Sequence, residues 1–139
     1  GELQVRSVEI STGRIDPPAS YWFSQKLKPE DVEFLTVPRW SRLSLKQKQS
    51  LWVGADEKQR LRLQRFVLCD LYDITNGPSW RSQIGWKQED VPLAHWEGVQ
   101  CDQDGWVVNI QMGSYGLLGP LPPLLSKLEK LKGLDLTNN

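Results

Sequence analysis

The chain has 139 residues, of which 39% are hydrophobic and 24% are charged, with 17 basic and 17 acidic side chains. This composition is typical of a soluble globular protein and excludes a disordered chain. A net charge of zero without a basic stripe argues against nucleic-acid binding. No apolar run reaches the roughly 18 residues that span a bilayer, and residues 1–20 lack the plan of a signal peptide. Because residue 1 is Gly rather than Met, an upstream leader or domain stays open.

Seven tryptophans are many for this length. Large aromatics at such density favour a small domain that buries much area with few side chains. A tryptophan-lined groove, as in a carbohydrate-binding module, is the alternative interpretation.

Residues 1–42 contain four prolines and no sustained hydrophobic period, which predicts extended, turn-rich chain. Their aromatic clusters lie at residues 21–23 and 34–40 and are interpreted as a strap over the rest of the protein or as a docking motif for another subunit. The strap is preferred, since large apolar clusters seldom stay exposed on a monomer. The docking residues would be Tyr21, Trp22, Phe23 and Trp40.

Two helices are predicted next. Ser44 with Gln47 has the spacing of a capping box, so a short helix is expected over residues 45–53, ending at Gly54. Asp56 with Gln59 repeats the signal before an amphipathic helix at residues 57–75. Its basic residues are expected mostly toward solvent. They are Lys58, Arg60, Arg62 and Arg65.

A β-hairpin is predicted after this helix. Val99 and Cys101 precede the turn sequence DQDG at residues 102–105, and WVVNI follows at residues 106–110. Asp102 and Asp104 could also start a calcium loop, but the rest of that ligand pattern is absent, so a turn is preferred.

The C-terminal part matches itself at an offset of 24 residues. Both copies fit the pattern L-x-x-L-x-L-x-x-N, with Tyr115 in place of the first Asn. Between them lies LLGPLP at residues 117–122. The corresponding pairs are Val107 with Leu131, Ile110 with Leu134, Met112 with Leu136, and Tyr115 with Asn139.

This pattern resembles the plant-type leucine-rich-repeat proteins. Residues 71–102, with their Thr-Asn-Gly helix end, Gly-Trp pair and WEGVQC segment, resemble the N-terminal cap of that family, most of all its microbial and protist members. The resemblance covers about residues 57–139. It implies an α/β leucine-rich-repeat solenoid, in which a helical and β-hairpin N-terminal cap is followed by short parallel strands with convex-side turns.

The resemblance also implies a division of the chain. Residues 1–54 would be an N-terminal extension, residues 55–106 the cap, and residues 107–139 the first repeat and a truncated second one, so the natural protein is expected to continue. The cap would cover apolar side chains that cost roughly 1.5–3 kcal/mol each when left exposed. Its structural residues would be Phe66, Leu71, Trp80, Trp86 and Trp96.

The cysteines depart from the family pattern. Many relatives pair a Cys at the position of Ala94 with the Cys that stands here as Cys101. Free thiols are preferred, and a Cys69–Cys101 bridge is the alternative. With no N-x-[ST] sequon either, this favours the cytoplasm.

No constellation for catalysis is recognised. His95 with Cys101 is the best enzyme hypothesis, but no third group is identifiable. Gly113, Gly116 and Gly119 are explained as turn positions rather than a phosphate loop. We therefore expect a protein that is not an enzyme and needs no cofactor or metal.

Binding is expected on the concave face of the strands, with another protein or a peptide as partner and no membrane insertion by this segment. The preferred function is a non-catalytic, cytoplasmic scaffold or adaptor module. The alternative is the ligand-sensing, extracellular ectodomain of a receptor-like kinase. The expected contact residues are Asn109, Gln111 and Ser114 in the first repeat and Asp135, Thr137 and Asn138 in the second.

Overall fold

The computed structural model describes residues 28–139, so Tyr21, Trp22 and Phe23 lie outside the described residues. The α-helices there are α1 (Val37–Arg42), α2 (Leu45–Gly54) and α3 (Glu57–Ile74). The strands are β1 (Val99–Cys101), β2 (Val107–Gln111) and β3 (Gly133–Asp135). Short 3-10 helices lie at Pro29–Phe34, Gly77–Ser79, Leu93–His95 and Pro123–Lys127. None of the helices in this part of the chain is long and apolar enough to cross a membrane.

The expectation of extended chain up to residue 42 is wrong for residues 29–42, which form a 3-10 helix and α1. Pro29 and Pro38 both occupy the first turn of their helices. A first-turn residue has no intrahelical use for its N–H, and the fixed φ of proline suits a helix start. The prolines therefore begin helices here instead of preventing them.

The predicted helix starts are confirmed, since both capping boxes form. The Ser44 hydroxyl accepts from the Gln47 N–H at 3.1 Å, and the Gln47 side chain accepts from the Ser44 N–H at 2.8 Å. Asp56 and Gln59 exchange the same two bonds, each at 2.8 Å. At the other end of α3, a Cβ on Gly77 would overlap the Tyr72 ring, so a glycine is needed there.

The arginines of α3 are less solvated than expected. Arg62 donates to the carbonyl of Val32 at 2.9 Å and to that of Leu35 at 2.7 Å. Arg60 donates to the Trp52 carbonyl at 2.9 Å. Helix α3 thus contacts the 3-10 helix Pro29–Phe34 and α2 through carbonyls near the C-terminal ends of those short helices.

A three-stranded sheet of order β1-β2-β3 follows the helices. β1 and β2 are antiparallel, with Val99 opposite Ile110, and the hairpin is confirmed. Its turn is closed by the Asp102 carboxylate, which accepts from the N–H groups of Asp104 and Trp106, each at 2.9 Å. β2 and β3 are parallel, with Ile110 opposite Leu134, so the 24-residue offset of the sequence is the register of this pair.

The predicted fold class, an α/β leucine-rich-repeat solenoid, is wrong for the described residues. They form helices and one small mixed sheet, in which an antiparallel pair precedes the single parallel pair. β1 is antiparallel because a tight turn joins it directly to β2, whereas parallel neighbours need a long connection. A solenoid requires successive like units packed on one another, and one parallel step does not provide them.

The core is centred on α3 and a row of aromatic rings. Trp80, Trp86 and Trp96 are 4%, 4% and 2% exposed, while Phe66 and Leu71 are fully buried. The ring centroids of Trp80 and Trp86 are 4.9 Å apart, and those of Trp86 and Trp96 are 5.3 Å apart. These aromatics fill the interior and leave no open tryptophan groove, in agreement with the structural role predicted for them.

Candidate protein-binding face

The strands β2 and β3 present alternating sides. Ile110 is fully buried on the core side, whereas Asn109 is half-buried and Gln111 is exposed on the other side. Val107 is fully buried as well, although it is three residues from Ile110, because the β1–β2 pairing is irregular between Val107 and Asn109. The parallel register sets Gln111 beside Asp135. The structure therefore brings residues of both sequence copies onto one surface, which we call the polar face: Asn109, Gln111, Gly113, Gly133, Asp135 and Thr137.

Side chains of the polar face are ordered by hydrogen bonds to one another. The Gln111 amide donates to Asn109 Oδ1 at 2.8 Å. The Asp135 carboxylate accepts from the Thr137 backbone N–H at 3.1 Å and from its hydroxyl at 2.8 Å. These bonds, the backbone one first, hold the pKa of Asp135 below its usual range. The face thus carries an ionised carboxylate next to amide donors and acceptors.

Glycine keeps this face shallow. A Cβ on Gly133 would lie 2.7 Å from Asn109 Oδ1, too close for any side chain to fit without displacing the amide. The lack of a side chain at this position leaves room over β3 for the Asn109 amide, which accepts from Gln111 on its own strand. A partner would therefore meet a low surface of amides instead of a deep pocket.

The predicted contact residues Ser114 and Asn138 lie in equivalent turns. Each has φ of 59°, a left-handed conformation, and both side chains are exposed. The Ser114 N–H donates to the Thr137 carbonyl at 2.9 Å, which ties the two turns together. Both residues thus continue the polar face beyond the strand ends.

Asn139 joins the two sequence copies. Its Oδ1 accepts from the N–H groups of Tyr115, Gly116 and Leu117 at 3.1, 2.8 and 2.9 Å. Its amide donates to the Met112 carbonyl at 2.8 Å and also to two carbonyls of its own turn. One side chain therefore satisfies backbone groups of both turns.

Tyr115, which replaces the first Asn of the pattern, organises a polar cluster that sequence reasoning missed. Its hydroxyl donates to Glu97 at 2.7 Å, and Ser82 donates to the same carboxylate at 2.9 Å. The Tyr115 bond is the main reason that the pKa of Glu97 lies below its usual range. The Arg81 guanidinium lies 4.3 Å from the Tyr115 ring centroid. The only sequence signal was a tyrosine at an expected asparagine position.

The proposed docking role of Trp40 is wrong, because its side chain is only 1% exposed. Its indole donates to Asp70 at 2.9 Å, and Lys48 forms an ion pair with the same carboxylate oxygen at 2.9 Å. The Trp40 ring also packs on Phe66, with centroids 5.7 Å apart. Within the cluster at residues 34–40, Leu35 and Trp40 are buried as a strap would require, whereas Phe34 is 68% exposed.

The cysteines and His95 do not form a reactive site. Cys69 and Cys101 are both free, so the alternative of a bridge is wrong. Burial raises the pKa of the Cys69 thiol to about 12 and also raises that of Cys101, which disfavours the nucleophilic thiolate. His95 is exposed. Within residues 28–139, no group of three or more His, Cys, Asp or Glu is arranged to hold a metal ion.

Comparisons with known proteins give partial matches. No family model and no solved structure matches the chain. A probable leucine-rich-repeat receptor-like protein kinase of Arabidopsis thaliana is 41% identical over 85 residues, which cover 53% of this chain and 9% of the relative. The Arabidopsis leucine-rich-repeat receptor-like serine/threonine-protein kinase FEI 2 is 42% identical over 55 residues, which cover 39% of this chain and 9% of the relative. Receptor-like protein kinase 5 of the same plant is 42% identical over 50 residues, which cover 36% of this chain and 5% of the relative.

The chain spans less than a tenth of the length of each of these relatives. All three share about two residues in five with it over the matched part. The chain is therefore related, over part of its length, to leucine-rich-repeat proteins.

Proposed function

We propose that the chain is a protein-interaction module that binds another protein or a peptide through the polar face. The observation that carries this proposal is the alignment of Asn109, Gln111, Asp135 and Thr137, two from each sequence copy, on the same side of the parallel pair. Their amides, hydroxyl and carboxylate offer both donors and acceptors to a partner backbone. The relationship to leucine-rich-repeat proteins supports the same proposal.

The proposed role is non-catalytic: the amides, the Thr137 hydroxyl and the Asp135 carboxylate of the polar face serve as hydrogen-bond donors and acceptors for a partner. A standard interface needs roughly 800 Å² on each partner. The six predicted contact residues provide less than that, so a stable complex would draw on further contacts.

Two biological contexts are proposed for this module. The free cysteines and the absence of an N-x-[ST] sequon support a cytoplasmic scaffold or adaptor. The descriptions of the relatives as receptor-like kinases support the alternative, a ligand-sensing ectodomain of such a kinase outside the cell. The full-length transcript distinguishes the two, because only the receptor would encode a membrane span and a kinase domain.

The proposed face is tested by selecting peptides from a random display library on the full chain and measuring their affinity by fluorescence polarisation. Gln111→Arg places a large cation at the centre of the face and should weaken binding about tenfold or more. Gln49→Arg, an equal change at an exposed position of α2, is the matched control and should alter affinity less than about twofold. Equal effects of the two variants, with both folded by circular dichroism, would refute the proposed face.

A further inference from the structure

An open groove lies between the first half of α3 and two further segments, the start of the 3-10 helix at residues 92–94 and the hairpin turn at residues 101–105. Its volume is about 490 Å³, within the roughly 300–1,000 Å³ of typical ligand clefts. None of its lining residues belongs to the polar face. It is therefore a separate candidate surface, which we call the α3 groove.

One wall of the α3 groove is basic. Lys58, Arg62 and Arg65 follow one another at spacings of four and three residues, which sets them on one side of the helix. Within residues 28–139 none of the three forms an ion pair. The Lys58 side chain makes no hydrogen bond there either, and the residue is exposed.

The two arginines are held by neutral groups. Arg62 donates to backbone carbonyls of the 3-10 helix before α1, and Arg65 donates to the Glu89 carbonyl at 2.9 Å. The Glu89 carboxylate itself accepts from the Val37 N–H at 3.2 Å. Burial and then the charge of Arg65 lower the pKa of Arg62, as expected where cations gather. Each guanidinium has five N–H donors, so donors remain for a ligand.

The charges of Glu89 and Glu33 act on Arg62 from outside the groove, but the groove itself is lined by little negative charge. Asp102 is the one carboxylate among the lining residues, and its Oδ1 already accepts two backbone N–H groups of its own turn. A neighbouring groove of about 300 Å³ also borders Lys58 and Arg62, but Glu30, Glu33 and Asp56 line it. The excess of positive charge is therefore specific to the α3 groove.

The rest of the α3 groove is largely apolar. Leu61 lies between the cations, and Leu93 and Ala94 form the opposite wall with Pro92. Apolar side chains of a ligand would be removed from water there, which contributes about 25 cal/mol for each Å² buried. A small inorganic anion would use only the basic wall.

We propose that the α3 groove binds an acidic peptide segment of a partner protein, in which carboxylates flank an apolar side chain. The carboxylates pair with the free guanidinium donors of Arg62 and Arg65 and with the ammonium of Lys58. The apolar side chain lies against Leu61 and Leu93. This site is independent of the polar face and needs no contact with it.

The test is the affinity of the full chain for a labelled peptide of sequence EELLEE, with QQLLQQ as the neutral control, measured by fluorescence polarisation. The acidic peptide should bind, the neutral one should not, and the affinity should fall as salt rises because the contacts are between exposed charges. Lys58→Glu should weaken binding about threefold to tenfold. Lys127→Glu, the same charge change on an exposed lysine elsewhere, should leave the affinity within about twofold.

A second variant tests the groove without touching a cation. Ala94 is exposed, so the Ala94→Glu variant should fold normally. The new carboxylate would lie opposite the basic wall and should lower the affinity for the acidic peptide by a similar factor. The proposal is overturned by equal binding of QQLLQQ, by equal effects of Lys58→Glu and Lys127→Glu, or by displacement of the peptide by inorganic phosphate at constant ionic strength. Concentration-dependent dimers in sedimentation that Lys58→Glu abolishes would identify a second copy as occupant, and would also overturn it.

Discussion

The helical region, residues 28–96, and the sheet region, residues 97–139, are stabilised in different ways. In the helical region a few bulky side chains are buried, and four of the indoles each donate one hydrogen bond: Trp80 to Thr75, Trp86 to Glu97, Trp96 to Val91, and Trp40 to Asp70. In the sheet region, strands of only three to five residues are joined by backbone pairing and by the side chain of Asn139.

The two regions therefore differ in how many residues share the free energy that stabilises them. A buried aromatic concentrates a large apolar area in one residue. Backbone pairing spreads the free energy of folding over many bonds, each contributing about 0.5–1.5 kcal/mol. Truncating a buried tryptophan of the helical region should therefore have a larger effect than removing one hydrogen-bonding side chain of the sheet region.

The largest effect is expected for Trp96→Ala. Trp96 is 2% exposed and packs on Trp86, so its loss should lower the free energy of unfolding by about 3–5 kcal/mol. The matched control is Trp106→Ala, since Trp106 is half-buried and lies in the sheet region; it should cost about 1 kcal/mol. Urea denaturation measures both, and equal losses would contradict the comparison.

A medium effect is expected for Lys48→Met, which leaves the Asp70 carboxylate without its cation. Both side chains of this pair are largely buried, at 13% and 10% exposure. Removing one partner of a fully buried pair costs roughly 3–5 kcal/mol, and this partly hydrated pair should cost about 2 kcal/mol. Lys46→Met, an exposed lysine two positions earlier, is the control and should be nearly neutral.

The Lys48→Met substitution should also change how the stability of the protein depends on pH. Burial raises the pKa of Asp70, and the hydrogen bond and charge of Lys48 oppose that rise. A folded pKa above the unfolded one means that stability falls as pH rises through the window between them. Without Lys48 the folded pKa of Asp70 rises further and this window extends to higher pH, so Lys48→Met should lose more stability than the parent as pH rises above the usual range of an aspartate carboxyl. If the free energy of unfolding changes with pH in the same way in the parent and in Lys48→Met, the interaction of Lys48 with Asp70 is contradicted.

The smallest effect is expected for Asn139→Ala. The residue is exposed and its bonds exchange with water, so the cost should be about 1 kcal/mol. Hydrogen exchange is the sharper measurement, since the Gly116 and Leu117 amides lose their acceptor and should exchange faster. Asn139→Asp keeps an acceptor oxygen and should protect these amides better than Asn139→Ala. Unchanged exchange in Asn139→Ala would show that Asn139 does not join the two turns.

Much of the candidate polar face could be predicted from the sequence. The alternation along β2 and the 24-residue offset are enough to bring Asn109, Gln111 and Asp135 to one side. The mutual hydrogen bonds of these residues, and the clearance that Gly133 provides, could not be predicted, because they depend on distances between side chains of different strands. The cluster around Glu97 was missed for the same reason.

The sequence by itself determined the local features. Both capping boxes, the Asp-Gly hairpin and the register of β2 with β3 depend on residues a few positions apart or on a fixed repeat, so their patterns are readable. Only the tertiary structure decided that Trp40 is buried, that Arg62 binds the carbonyls of Val32 and Leu35, and that the strands form a mixed sheet rather than a solenoid. Those outcomes depend on contacts between residues distant in the chain, which no local pattern encodes.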